Sequence, residues 1–142
     1  MFLSGLSTAT PPRRYTKADC WDAFTRSAWF ERLEPRARFV VQAVLGRDNG
    51  IEARRLAIDS LDEVFAIDPD TLQARFTRHA PALGTEAAAG ALADAGIDAS
   101  SIGAVVVSTC TGYLCPALSG YLVERLGLPA HVQCFDLVGQ GC

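Results

Sequence analysis

The feature that most constrains the fold is a short β-branched segment, "IGAVVVST", at residues 102–109. Such a continuous run, bounded by glycine and polar residues, is typical of a strand buried on both faces of a sheet. The following stretch, "PALSGYLVERLG", has helical spacing, with Pro116 suited to its start and Gly127 to its end. A second short apolar strand, "AHVQCFDL", comes next. This alternation of strand and helix predicts the α/β class.

The first half of the chain carries start and stop signals for helices. Apolar residues at helical spacing run through "TKADCWDAFTRSAWFERL", where Thr16 suits the N-cap and Asp19 the capping box. Pro35 suits the first turn of a second helix, "PRARFVVQAVLG", and Gly46 its end. The opening "MFLSGLSTATPP" predicts a strand followed by a turn, and "GIEARRLAID" fits either a strand or a loop.

A long helical pattern occupies the middle of the chain. It opens at Asp68–Pro69, is expected to kink at Pro81, and ends at Gly96. Its second half consists mainly of alanine and glycine, which add almost no side-chain bulk. We therefore expect this helix to pack closely against a sheet.

Composition and charge exclude several classes of function. A net charge of -3 argues against nucleic acid as the main partner, because phosphate binding normally requires a basic face. No apolar stretch approaches the roughly 20 residues of a membrane span, and no secretory signal is evident. We therefore expect a cytoplasmic protein whose five cysteines are thiols, with Cys20 and Cys134 buried as small hydrophobic residues.

Metal binding is disfavoured by the spacing of the cysteine and histidine residues. Structural zinc sites usually contain closely spaced cysteine pairs in turns. Here His131 and Cys134 fall on one predicted strand at an odd separation, so their side chains point to opposite faces. We expect neither a metal site nor a bound cofactor.

Two predicted strand ends carry the candidate site residues. Cys110, Thr111 and Gly112 follow the first strand, and Cys142 follows the second. Ligands of open α/β sheets bind at the carboxyl ends of strands, so neighbouring strands would bring these loops to one pocket. From the residues alone, ordinary connecting loops remain an equal alternative.

Cys142 is the strongest single candidate for a nucleophile. It lies in the turn "VGQGC", where the N-terminus of a following helix would favour the thiolate and lower its pKa. This short pattern also occurs by chance, so a cysteine without a function fits it too. The two histidines, His79 and His131, offer no partner, because we expect His79 at the surface and His131 at the opposite end of its strand.

The segment from "IGAVVVSTCTGYLCP" to "FDLVGQGC" resembles type III polyketide synthases of the bacterial branch. These are chalcone-synthase-like members of the thiolase superfamily. Three matches in order support the resemblance: the strand with its C-T-G-Y-x-x-P loop, the helix closing on L-G-L, and G-Q-G-C after a strand. It implies a thiolase-like fold, of which residues 1–142 would form an incomplete N-terminal domain.

The resemblance also implies roles for individual residues. Cys142 would accept an acyl starter from CoA as a thioester, which condensation with malonyl-CoA then extends. Cys110, Thr111 and Gly112 would line the cavity, and the loop at Cys115–Pro116 would reach across a homodimer. Residues that bind CoA would come from the second-helix region, although a gapless alignment places Val41, Val44 and Asp48 at the family's basic positions. Arg47 is the nearest of the basic candidates there, which are Arg36, Arg38, Arg47 and Arg54.

The histidine and asparagine that the family uses in catalysis come from the second half of a much longer chain. We therefore expect the 142-residue chain to be inactive alone in condensation. Two alternatives stay open at this point. One is another condensing enzyme of the superfamily, similar to ketoacyl-carrier-protein synthase III or hydroxymethylglutaryl-CoA synthase. The other is a non-catalytic binding or dimerisation module.

Overall fold

A computed structural model describes residues 2–47 and 50–139 of the chain. The chain folds into two compact units. One unit comprises the described residues of Met1–Thr10 and Asp68–Cys142, and the other consists of those of Pro11–Ile67. No helix in the described ranges is both long enough and apolar enough to cross a membrane.

The unit of residues 11–67 contains three helices and a small antiparallel sheet. The helices are α1 (Lys17–Thr25), α2 (Ala28–Glu31) and α3 (Pro35–Gly46), and a 3₁₀ helix follows at Leu61–Phe65. Strand β1 (Arg14–Thr16) pairs with β2 (Ala53–Arg55). The segment "GIEARRLAID", for which the sequence left strand and loop open, therefore contains a strand. The predicted capping box of Thr16 and Asp19 is confirmed, as are the bounds of α3.

The helix predicted between Thr16 and Leu33 is interrupted at Ser27. The Ser27 hydroxyl donates to the carbonyl oxygen of Phe24 at 2.6 Å and accepts from the N–H of Phe30 at 3.3 Å. Serine side chains compete in this way for backbone groups that would otherwise continue a helix. Ser27 thus ends α1 locally and caps α2.

An aromatic cluster forms the interior of this unit. The ring of Phe30 makes edge contacts with Trp21 and Phe24, with centroids 5.7 and 5.6 Å apart. Phe65 stacks on Phe24 at 6.3 Å, and Ile58 is buried in the same unit. Offset and edge-to-face pairs of this kind stabilise a small core beyond the area that they bury.

The other unit is built on α4 (Pro69–Ala95), β3 (Ala104–Thr109), α5 (Leu118–Leu126) and β4 (Gln133–Val138), with a 3₁₀ helix at Ala99–Ser101. Strands β3 and β4 are parallel, in register from Ala104 opposite Gln133 to Thr109 opposite Val138. Gly96 and Gly127 end the two helices with φ angles of 63° and 62°, which glycine adopts without strain. Helix α4 continues through the buried Pro81.

The predicted opening strand is wrong: residues 2–10 form no strand in the described part of the chain. This segment lies along α4 instead, and the N–H of Leu6 donates to Asp94 at 3.0 Å. At Gly5 a Cβ atom would lie 2.5 Å from the carbonyl oxygen of Ala91 and 2.7 Å from the N of Ala95. The small residues of α4 therefore allow the backbone of the opening segment to pack closely against this helix. The sequence had predicted close packing of α4 against a sheet instead.

The expectation that β3 is buried on both faces is also wrong. Its burial alternates along the strand, and Val106 is 64% exposed. The register places Val106 beside Phe135 of β4, which is 49% exposed. Among the described residues the sheet has two strands, and α5 packs against its other face, so this apolar face is uncovered.

Acid is expected to weaken the start of α4. Asp68 caps this helix, and hydrogen bonds from the side chain and the N–H of Thr71 hold the pKa of Asp68 below its ordinary value. A depressed pKa in the folded state stabilises the fold above the unfolded pKa of about 3.9, and this stabilisation is lost as the pH falls through the folded value. We therefore expect the free energy of unfolding to decrease when the pH is lowered below about 4.

Asp68→Asn provides the matched variant, because asparagine caps a helix about as well as aspartate and does not titrate. Urea unfolding at pH 6 and pH 3, followed by circular dichroism, measures the difference. We expect the variant to lose less stability than the wild-type chain between these two pH values. Equal losses in both would show that the Asp68 carboxylate does not contribute.

Candidate functional site

The carboxyl ends of β3 and β4 form one edge of the sheet. Thr109 lies opposite Val138, and the N–H of Gly139 donates to the carbonyl oxygen of Thr109 at 2.8 Å. A cavity of about 340 Å³ opens at this edge, and its lining consists of Pro69, Leu72, Gln73, Cys110, Thr111, Gly112, Tyr113, Val138 and Gly139. Gly139, the first residue after β4, therefore shares a cavity lining with the loop after β3, and the rest of the second predicted loop, residues 140–142, lies outside the described residues.

The loop after β3, residues 110–117, is fixed by side chains from two elements. The hydroxyl of Thr109 donates to the carbonyl oxygen of Gly112 at 2.9 Å. Gln73 of α4 donates from Nε2 to the carbonyl oxygen of Tyr113 at 2.5 Å. A Cβ atom on Gly112 would lie 2.5 Å from Cγ of Phe76, so glycine permits this close approach. Contacts from β3 and α4 thus hold the pocket wall.

Sequence reasoning missed the contribution of α4 to this pocket. Pro69, Leu72 and Gln73 come from its first two turns, about 40 residues before the loop that they contact. Leu72 is exposed within the described chain, and an apolar residue at the start of a helix is too common to indicate a pocket.

A second missed feature connects β4 to α5. The N-cap of α5 is Ala117, whose side chain cannot accept a hydrogen bond. The Asp136 carboxylate of β4 caps α5 instead. Its Oδ1 accepts from the N–H of Ser119 at 3.1 Å, and its Oδ2 accepts from the Ser119 hydroxyl. The signal in the sequence was an acidic residue inside the apolar strand "QCFDLV".

The cysteines differ in position and exposure. Cys110 begins the loop and Cys115 lies two residues before its end; both are exposed, and Cys115 precedes Pro116 through a cis peptide bond. Cys134 is exposed, which contradicts the expected burial, because no third strand covers β4 in the described chain. Cys20 is half-buried, and this burial raises the pKa of its thiol. Cys142 and Gly141 lie outside the described residues.

The histidines lie away from the pocket lining. His131 is exposed in the turn before β4, at the amino end of the strand, as expected for its distance from the pocket. His79 is half-buried in α4, and its Nε2 atom is buried without a hydrogen-bond partner among the described residues. The predicted surface position of His79 is therefore wrong.

The arginines of the second-helix region belong to the unit of residues 11–67. Arg47 follows α3, and its carbonyl oxygen accepts from Nζ of Lys17 at 2.7 Å. Arg38 is used internally: its guanidinium donates to the carbonyl oxygens of Leu33 and Glu31 and lies over the ring of Phe30. Arg38 is thereby less suited to a ligand than the exposed Arg47.

Two other cavities hold none of the predicted site residues. One of about 610 Å³ lies in the same unit and is lined mainly by aliphatic side chains of the opening segment, α4, α5 and β3. Another of about 300 Å³ lies beside α1 and α3 in the other unit. The cavity at the strand ends is the candidate because its position matches the ligand sites of α/β sheets.

Comparisons with known proteins point to one group of enzymes, although no family model matches the chain. The chain is 31% identical over 99% of its length to "Alpha-pyrone synthesis polyketide synthase-like Pks18" of Mycobacterium tuberculosis. It is 30% identical, also over 99% of its length, to the 1,3,6,8-tetrahydroxynaphthalene synthase of Streptomyces peucetius. It spans 36% of the length of each relative.

Solved structures agree with these relatives. The crystal structure of PKS-I from the brown alga Ectocarpus siliculosus matches 99% of the chain with a TM-score of 0.81 at 22% identity. That of ORAS, a fungal type III polyketide synthase, matches 99% with a TM-score of 0.80 at 25% identity. The chain covers 40% and 37% of these two structures.

The fold is accordingly part of a thiolase-like fold, in which a parallel strand pair places its loops at one edge. Within that class the chain is a homologue of the type III polyketide synthases, as its sequence motifs predict. The α/β assignment and the partial character of the fold are both confirmed.

Proposed function

We propose that the chain is part of a polyketide-forming condensing enzyme and that Cys142 is its acyl-accepting nucleophile. The observation that carries this proposal is the similarity to Pks18 and to the tetrahydroxynaphthalene synthase over 99% of the chain. The pocket at the ends of β3 and β4 supports it, because it brings Cys110, Thr111 and Gly112 together with Gly139, which precedes Cys142 in the chain by three residues.

The proposed chemistry begins with transfer of an acyl group. The Cys142 thiolate attacks the carbonyl carbon of acyl-CoA, a thioester to Cys142 forms, and the thiolate of CoA leaves with the proton that the cysteine gave up. In the complete reaction, malonyl-CoA loses carbon dioxide, and the resulting carbanion displaces Cys142 from the acyl group. That second step needs groups that stabilise negative charge at the carbonyl oxygens.

Within this proposal the remaining predicted residues have assigned parts. Cys110, Thr111 and Gly112 form the wall that contacts the growing acyl chain. Cys115 and Pro116 lie on the loop that crosses to a second subunit of a homodimer. Arg47 contributes to CoA binding, and residues 1–142 form an incomplete N-terminal thiolase-like domain of a cytoplasmic enzyme.

A second candidate function comes from a more local similarity. A segment of 62 residues is 48% identical to "Beta-ketoacyl-[acyl-carrier-protein] synthase III 1" of Streptomyces coelicolor, covering 43% of the chain and 18% of that protein. Such an enzyme would share the Cys142 thioester and would take its extender from a carrier protein. Because we expect the chain alone to be inactive in condensation, binding of malonyl-CoA, compared with binding of malonyl-carrier protein, by the acyl-loaded chain distinguishes the two.

Mass spectrometry of the chain after incubation with a series of acyl-CoA thioesters tests the proposal. We expect one acyl group per chain, mapped by peptide analysis to Cys142, and no release of carbon dioxide from malonyl-CoA. Acyl groups spread evenly over the five cysteines, or no acyl group at all, would contradict a dedicated nucleophile. Release of a pyrone or resorcinol by this chain alone would overturn the expectation that it is inactive in condensation.

A further inference from the structure

We infer that Ser119 and Asp136 form a positioning pair for the acyl pocket, holding the loop of residues 110–117 against the end of β4. The inference rests on the proposed function, because it treats the cavity at the strand ends as the acyl site. Neither residue lines that cavity in the described chain, so the pair acts through the loop.

The geometry of the pair is that of a helix cap supplied by another element. Ser119 is 2% exposed, and both its N–H and its hydroxyl donate to the half-buried carboxylate of Asp136. The first N–H groups of a helix have no partner within the helix, and Ala117 offers none. The positive end of the helix dipole also favours a carboxylate at this place. Asp136 therefore completes the start of α5 from 17 residues away.

The position of the pair along the chain explains its consequence for the pocket. The loop of residues 110–117 leaves β3 after Thr109 and enters α5 at Leu118. Its first end is fixed to the residue that follows β4, because the N–H of Gly139 donates to the carbonyl oxygen of Thr109. Its second end is fixed to β4 by Asp136, through Ser119. Both ends of the pocket wall are therefore attached to the strand that leads toward Cys142.

Loss of the Asp136 attachment should loosen the loop while leaving the sheet paired. The parallel register of β3 and β4 rests on backbone hydrogen bonds, which a side-chain substitution retains. Hydrogen bonds to charged groups are stronger than those between neutral groups. Their loss therefore raises the equilibrium constant for local opening by about tenfold or more. We expect the change to be confined to the loop and the first turn of α5.

Hydrogen exchange followed by mass spectrometry tests the pair in the whole chain. In Asp136→Ala we expect amides of residues 110–119 to exchange about tenfold faster, with α4 and β3 unchanged. Ser119→Ala keeps the backbone N–H and should give a smaller increase. The double variant should add little to Asp136→Ala, since both changes remove the same contact.

Two further variants separate the pair from general destabilisation. Asp136→Asn keeps an acceptor for the N–H of Ser119 and should restore most of the slow exchange. Asp94→Ala removes another carboxylate that accepts a backbone N–H in this unit, and we expect residues 110–119 to be unaffected. Uniformly faster exchange in Asp136→Ala and Asp136→Asn alike, or no change in residues 110–119, would overturn the positioning role.

The acyl-loading reaction provides the functional measurement. In Asp136→Ala we expect the acyl-CoA concentration for half-maximal loading of Cys142 to rise several-fold, and Asp136→Asn to restore it, because a loosened wall binds the acyl chain less well. Unchanged half-saturation in Asp136→Ala, together with faster loop exchange, would limit the pair to a structural part and overturn the inference. Absence of loading in the wild-type chain would instead contradict the proposed function, and the exchange measurements would still decide whether the pair holds the loop.

Discussion

Replacing Cys142 with alanine is expected to abolish acyl loading from acyl-CoA. The sulfur of Cys142 is the atom to which the acyl group becomes attached in the proposed reaction, and alanine has no nucleophile. Removal of a covalent nucleophile lowers rates by several orders of magnitude in well-studied enzymes, so we expect a loss of roughly a thousandfold or more. A time course of intact-protein mass, with the acyl adduct as the signal, measures this loss.

Cys134→Ala is the matched control, because it removes an exposed thiol from the same unit and lies outside the pocket lining. We expect it to load the acyl group within about threefold of the wild-type rate, since a surface substitution leaves the fold intact. Loading that persists in Cys142→Ala, or that disappears in Cys134→Ala, would assign the nucleophile to a different cysteine.

Local signals made much of the secondary structure predictable. The Thr16 cap, the Pro35 start and the Gly46 end each depend on residues within one turn of the helix boundary. The same holds for α4, which begins after Asp68 and ends before Gly96. Such signals act through short-range hydrogen bonds and fixed backbone angles, so a single sequence contains them in full.

The wrong predictions concern burial and strand pairing, which depend on distant partners. The sequence of β3 has the composition of a strand covered on both faces, yet Val106 is exposed because no described element lies over it. The opening segment alternates like a strand, but it lies along the glycine and alanine positions of α4. A strand requires a neighbour for its hydrogen bonds, and composition does not specify which neighbour is present.

The pocket was predictable in position and only partly in membership. The topology places the ends of β3 and β4 side by side. The presence of Cys110 and Gly139 in the pocket lining therefore follows from the order of the strands and helices. Gln73 reaches Tyr113 across 40 residues, and Ser119 reaches Asp136 across 17. Neither pair has a periodic spacing or a motif, so only three-dimensional structure reveals these supports.

Gly112→Ala is expected to lower the free energy of unfolding of the chain. The added Cβ atom would lie 2.5, 2.8 and 2.9 Å from Cγ and the two Cδ atoms of Phe76. These atoms lie near the base of the ring, so rotation of the side chain relieves the overlap poorly. Overpacking of this kind lowers the free energy of unfolding by about 1–3 kcal/mol, which urea denaturation followed by circular dichroism measures.

Gly103→Ala is the control, because a Cβ atom there meets nothing within 4 Å. We expect its unfolding free energy to stay within about 0.5 kcal/mol of the wild-type value. Combining Gly112→Ala with Phe76→Ala removes the ring that the new methyl group would strike, so the added loss from Gly112→Ala should disappear in that background. A Gly112→Ala loss that is the same with and without the Phe76 ring would show that the substitution acts through the backbone of the loop instead.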